Sequence, residues 1–267
     1  MTTPRRLALI TGASAGIGAA FARVFAAQGF DLVITARRED RLVALAAELE
    51  ERYRVTVRGI PADLADPGAP GRLVERLGTL GLAVDVLVNN AGYGVPGAYV
   101  NTTWREQADF LQVMVTAVCE LTYRLVPGMV ERGYGRIINV ASLAGLLPGA
   151  AGHTLYAASK AFLIRFSQSL ALETHASGVY VTAVCPGFTY SEFHDVTETR
   201  GTVSRLPRWM WMDAATVAHQ GFEAVMRGDT VYVNGRANRA IAAGASVLPE
   251  RLVYAIMRRQ GRRFRKL

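Results

Sequence analysis

With 267 residues, 51% of them apolar and 19% charged, the chain carries enough core-forming material for one large α/β domain over 1–267 and is too apolar for a disordered one. No unbroken apolar run approaches the ~20 residues of a membrane span, and residues 7–10 are too short for a signal-peptide core, so a cytoplasmic protein is expected. The net charge of +8 is uneven: from Glu250 onward seven basic residues face one acidic residue, which reads as a solvated tail and not as a nucleic-acid-binding face, with contact to an acidic membrane surface the less favoured alternative.

Residues 6–11 form a short continuous apolar run, as a buried parallel strand requires. The run feeds Gly12-Ala13-Ser14-Ala15-Gly16-Ile17-Gly18, which opens an amphipathic helix to about residue 28. A strand, a glycine turn and a helix in sequence make an anion site: glycines admit a pyrophosphate to the backbone, and free N–H groups with the helix dipole attract it. Gly12, Ser14, Gly16, Ile17 and Gly18 are therefore candidate cofactor contacts, with an ordinary tight turn as the plainer alternative. The spacing is G-x-x-x-G-x-G, not the G-x-G-x-x-G of the common dinucleotide fingerprint.

Residues 31–36 read as a second strand. Where an NAD site places a carboxylate on the ribose 2′-hydroxyl, this chain has Ala36 followed by Arg37 and Arg38. Guanidinium suits a 2′-phosphate, so NADP(H) is favoured over NAD(H). A helix to about 52 and a strand over 55–59 lead to Asp63-Leu64, whose carboxylate is placed to accept from an adenine amino group. Asp66-Pro67 is expected to begin a helix. Residues 84–88 form a fourth strand ending in Asn89-Asn90-Ala91-Gly92, small residues and amides that suit a ribose at a sheet edge and would otherwise be a turn.

Residues 104–132 read as one long helix or two abutting ones, and 136–141 as a strand that delivers Ser142. After a loop over 144–154, a helix to about 174 carries Tyr156 and Lys160 at i and i+4, on one face. A phenol titrates near ~10 in water, and a neighbouring ammonium would draw it toward the working range, while Ser142 offers a hydroxyl to a carbonyl or alcohol oxygen. Tyr-x-x-x-Lys alone is a weak signal, with a surface pair as the bland reading. Of 30 basic residues, however, only Lys160 and Lys266 are lysine, so a lysine in an apolar helix is not the chain's default cation. Residues 179–185 make a sixth strand closed by Pro186-Gly187; Cys119 and Cys185, far apart in apolar runs, read as buried free thiols. Strands alternating with helices imply a doubly wound, mostly parallel sheet whose ligands sit at the strands' carboxyl ends, where all of these groups fall.

Thr11-Gly12-x-x-x-Gly16-Ile17-Gly18, Asp63-Leu64, Asn89-Asn90-Ala91-Gly92, Ser142, Tyr156-x-x-x-Lys160 and Pro186-Gly187, in this order, resemble the short-chain dehydrogenase/reductase family over about residues 5–235. The resemblance implies a Rossmann-type sheet of about seven strands, the last at 230–233, with helices on both faces and a homo-oligomeric assembly. It implies hydride transfer between NADPH and a carbonyl or alcohol. Tyr156 would be general acid/base, Lys160 would hold the nicotinamide ribose and lower the Tyr156 pKa, and Ser142 would position the substrate oxygen. Asn90, Ala91, Gly92, Pro186, Gly187, Thr189 and Ser191 would contact the cofactor, the last two at the nicotinamide amide and the pyrophosphate. One departure stands out. The family has an asparagine in the long helix that helps keep a kink and a proton-relaying water, and this chain has Val113-Met114-Val115 there. The rival expectation is therefore an NADP(H)-binding module with weak or lost catalysis.

Residues 188–213 are the expected lid, where Tyr190, Phe193 and Arg208-Trp209-Met210-Trp211-Met212 point to a hydrophobic small-molecule substrate or to a lid packed on its own body. His153 could line the pocket but reads as a bystander, and none of the four histidines has metal-site spacing. Asp213 caps a helix to about 226. Residues 236–267 form a basic helical extension in which Leu252, Val253, Ile256 and Met257 make a stripe expected to pack on the protein itself.

Overall fold

The computed structural model describes residues 5–149, 154–190, 210–249 and 251–255. In chain order its strands are β1 (Leu7–Thr11), β2 (Asp31–Thr35), β3 (Val57–Gly59), β4 (Val86–Asn89), β5 (Gly135–Val140), β6 (Val179–Cys185), β7 (Phe188–Tyr190), β8 (Trp211–Asp213) and β9 (Val231–Val233). The main helices are α1 (Gly16–Ala27), α2 (Glu39–Tyr53), α3 (Ala69–Thr79), α4 (Trp104–Leu111), α5 (Ala117–Glu131), α6 (Thr154–Thr174), α7 (Ala214–Arg227) and α8 (Arg236–Val247). Seven strands pair, all in parallel, in the order β3-β2-β1-β4-β5-β6-β9. This is the doubly wound Rossmann-type fold: the chain winds outward from β1 to β3, returns to β4, and leaves a crevice beyond the carboxyl ends of β1 and β4.

Strand periodicity divides the core between two faces. Ala8, Ile10, Leu32, Ile34, Val86, Val88, Ile138 and Val184 meet Phe21 and Phe25 of α1, Leu42 of α2 and Val217 of α7. Leu9, Val33, Leu87, Ile137 and Val181 meet Leu73 of α3, Leu121 and Met129 of α5 and Ala171 of α6. Every residue of β1 is buried, which is why this strand reads as an unbroken apolar run.

Several elements differ from the expected ones for local reasons. Asp66 Oδ1 accepts the Gly68 N–H at 2.8 Å, which makes Asp66-Pro67 a turn, and α3 starts at Ala69 with Pro70 in its first turn. The long helix is continuous but passes through a π-helical segment, Gln112–Thr116, between α4 and α5. As one run, Trp104–Glu131 is long and apolar enough to cross a membrane, an 18-residue stretch within it having mean hydropathy 1.3, although one side of it is packed on the sheet, α3 and α6. The ends of the expected lid are tied together, because β7 pairs in parallel with β8; Phe193, Arg208 and Trp209 lie outside the described residues. Asp213 caps α7, accepting the Thr216 N–H at 2.7 Å. In the extension Val253 is buried and Leu252 exposed, while Ile256 and Met257 lie outside the described residues.

Candidate active site

The turn after β1 is shaped by approaches that a side chain would block. Gly12 (φ +66) and Gly16 (φ 55) adopt the left-handed region, and a Cβ on Gly18 would lie 2.3 Å from the Gly12 carbonyl oxygen. Asn90 Nδ2 donates to the carbonyls of Thr11 (2.9 Å) and Gly12 (3.2 Å), and Thr11 Oγ1 accepts the N–H groups of Asn90 and Ala91, both at 3.0 Å. Asn90, expected at the cofactor, thus spends its amide donors on pinning the glycine turn to the end of β4. Thr11, the partner in that contact, was not among the expected site residues.

The N-terminus of α1 has an extended cap residue, Ala15, no side-chain cap and no acidic residue in its first turn, so its N–H groups are open to an anion. Arg38 Nη2 donates to Ser14 Oγ at 2.9 Å, which sets a guanidinium at the mouth of the turn. Arg37 is exposed and its charge acts on Tyr93. Asp63 is exposed, with Oδ1 accepting the Ala65 N–H at 3.1 Å, and Leu64 is buried against Val113 and Ala117 with Ala91 and Tyr93 packed alongside. An uncapped helix end beside an arginine fits a phosphorylated dinucleotide.

At the end of β5, Ser142 caps a 3₁₀ turn, Leu143–Leu146; its Oγ accepts the Ala144 N–H at 3.1 Å and its side chain hydrogen-bonds Tyr156. The Leu143 N–H donates to the Pro186 carbonyl at 2.9 Å, which ties this turn to Pro186-Gly187. Lys160 is 5% exposed, and Nζ donates to the Val140 carbonyl at 2.7 Å. Burial draws its ammonium down to about 8, with Cys185 acting in the other direction. Burial also pushes the Cys185 thiol up to about 12, opposed by Lys160. Tyr156 is likewise pushed up by burial, against the Ser142 hydrogen bond. Against the expectation that Lys160 lowers the Tyr156 pKa, desolvation raises it and the Ser142 hydrogen bond opposes that rise, while Nζ sits on a β5 carbonyl, 5.7 Å from the centroid of the phenol ring.

Pro186-Gly187 is covered from α8: a Cβ on Gly187 would lie 2.5 Å from Asn238 Nδ2, which donates to the Asn234 carbonyl at 2.8 Å. Asn238 had no local spacing that could announce this contact. Thr189, buried on β7, donates from Oγ1 to the Gly187 carbonyl at 3.2 Å; Ser191 and His153 lie outside the described residues. Tyr190 stacks on Trp211 with centroids 4.7 Å apart, so this part of the lid packs on itself. Met114 is buried, and a Cβ on Gly92 would lie 2.7 Å from its Sδ.

A family profile described as short chain dehydrogenase matches residues 6–200. Nodulation protein G of Rhizobium sp. (strain N33) is 38% identical over 239 residues, covering 86% of this chain and 96% of that protein. A short-chain dehydrogenase from Sphingobium yanoikuyae, solved in complex with NADPH, superposes with a TM-score of 0.80 at 34% identity, covering 90% of this chain and 93% of that one. The bulky-bulky ketone specific alcohol dehydrogenase from Comamonas testosteroni gives a TM-score of 0.76 at 31% identity over 93% and 96% of the two chains. The chain belongs to the short-chain dehydrogenase/reductase family of NAD(P)-dependent oxidoreductases.

Proposed function

We propose that the protein is an NADP(H)-dependent carbonyl reductase, or alcohol dehydrogenase in reverse, for a hydrophobic small molecule. The observation that carries this reading is the Ser142–Tyr156–Lys160 cluster at the end of β5, with Lys160 buried and the two hydroxyl groups half-buried, one strand away from β4 and the glycine turn it pins. The dinucleotide supplies the hydride when bound. Arg38 beside Ser14 would hold a 2′-phosphate, the open end of α1 the pyrophosphate, and Lys160 the ribose hydroxyls of the nicotinamide half. Tyr156, kept protonated by burial, gives its proton to the substrate oxygen, and Ser142, whose Oγ takes the Ala144 N–H, turns its own proton to the same atom. Tyr99, Phe110 and Leu155 near Tyr156 support an apolar substrate body, and the NADPH complex and ketone specificity of the two structural relatives point the same way.

The rival, a binding module with lost catalysis, rests on Met114. The π-helical segment around Met114 weighs against it, because the helix deformation is present without an asparagine to hold it. The test is NADPH oxidation with a panel of ketones and aldehydes, where Tyr156→Phe loses about 10²- to 10⁴-fold in rate while fluorescence titration shows NADPH still bound. Equal rates in wild type and variant overturn the assignment; tight NADPH binding without turnover of any carbonyl favours the rival.

A further inference from the structure

We propose that Gln107 makes the site selective for substrates bearing a neutral hydrogen-bond donor, a hydroxyl or an N–H, at a second position; this rests on the oxidoreductase reading and names the substrate class of that same site. A cavity of about 10 Å³, room for one water-sized group, lies beside Tyr156 and is walled by Val95, Tyr99, Phe110, Leu155 and Gln107. Gln107 is 6% exposed and sits in the first turn of α4, behind the Thr103–Glu106 capping box. Its Nε2 donates to Thr102 Oγ1 at 2.7 Å, and Thr102 Oγ1 gives its single proton to the Tyr99 carbonyl at 2.9 Å. A hydroxyl whose proton is spent can only accept, so the network fixes the amide with nitrogen toward Thr102 and Oε1 turned away from it.

Among the described residues no hydrogen bond reaches Gln107 Oε1. Oε1 is open to water and not sealed in the core, so a substrate that displaces that water leaves the oxygen without a donor unless it brings a hydroxyl or N–H of its own. No lysine or arginine is among the described residues lining the cavity, so a carboxylate or phosphate would meet lone pairs without a compensating cation. The geometry therefore selects hydroxy ketones and diols, or their amide-bearing counterparts, over keto acids and over plain ketones.

The test offers the enzyme with NADPH a series of methyl ketones ending in a hydroxyl at increasing chain length, each against the ketone with methyl in place of that hydroxyl. At the length that reaches Gln107, kcat/KM favours the hydroxyl compound by about tenfold, expressed mainly in KM, and keto acids of equal length are the poorest. Gln107→Met, which keeps volume and removes the acceptor, erases that ratio. Thr102→Val, which frees the amide to turn over, reduces it and serves if the first variant does not fold. A ratio unchanged in both variants, or no preference at any length, overturns the proposal. If no ketone is reduced, the oxidoreductase reading is what fails, and calorimetric titration of the same pairs into the protein with NADP⁺ decides the proposal: equal affinities overturn it, and tighter binding of the hydroxyl member supports it.

Discussion

Lys160 holds its Nζ on the Val140 carbonyl inside the protein, and burial lowers it from 10.5 to about 8. Between those values the unfolded chain keeps a proton that the folded chain has released, so stability rises with pH across that window. Below about 8 both states are charged, and carrying the buried ammonium costs the cofactor-free protein on the order of 3 kcal/mol. The melting temperature of the wild type should therefore climb relative to Lys160→Met between about pH 8 and 10.5; a difference flat with pH would mean the ammonium is hydrated. Tyr156 moves in the opposite sense, since burial keeps its phenol protonated to higher pH than usual. The acid form is the one that reduction needs. kcat/KM for ketone reduction should stay level through neutral pH and fall only on the alkaline side, while alcohol oxidation rises toward alkaline pH. A fall in reduction already at neutral pH would contradict this assignment of the acid.

Ser142 meets Tyr156 because two elements touch backbone to backbone. A Cβ on Gly145 would lie 2.6 Å from the Lys160 carbonyl carbon and 2.7 Å from the Ala161 nitrogen, and no rotamer change can relieve that. Gly145→Ala must lift the 3₁₀ turn off α6 and carry Ser142 away from the phenol. We expect a loss of about 10²-fold in kcat/KM together with about 1–3 kcal/mol of stability. Gly78→Ala on α3, whose Cβ meets nothing within 4 Å, is the control and should be neutral or slightly stabilising. Elements of this kind are legible in sequence to different degrees. β1, β2, β4 and β6 stand out because helices cover both sheet faces, leaving continuous apolar runs. Tyr156 and Lys160 stand out because one helical turn is a local relation. The π-helical segment does not, since Val113-Met114-Val115 repeats like any apolar helix and Met114 is seated by Gly92 of another segment. Asp66-Pro67-Gly68-Ala69-Pro70 offers two prolines, and only the Asp66 side-chain bond decides which one enters α3. Asn238 over Gly187 and Gln107 beside Tyr156 are placed by tertiary packing alone, and a single amide on a helix carries no pattern to read.

At the scale of the whole molecule, α3, α5 and α6 cover one face of the sheet, and their apolar content exceeds what the sheet uses. The most apolar 18-residue stretch of Trp104–Glu131 has mean hydropathy 1.3, yet only 39% of it is buried within one chain. On its outward side α5 presents Tyr123, 80% exposed, and α6 presents Leu172, 87% exposed, with Phe162 stacked on Phe166 at 5.9 Å. Single exposed apolar residues are ordinary, but two adjacent helices carrying them beside an under-buried apolar run form a surface that association would cover. A second copy is the partner most suited to it, because twofold symmetry sets the same patch against itself without a separate complementary surface. The protein is therefore expected to be a homo-oligomer by light scattering at micromolar concentration. Tyr123→Glu combined with Leu172→Glu should shift it to monomer, since charges buried unpaired in an apolar interface cost several kcal/mol, and should lower its melting temperature. A wild type already monomeric at that concentration, or a double variant that keeps its assembly, would place the association surface elsewhere.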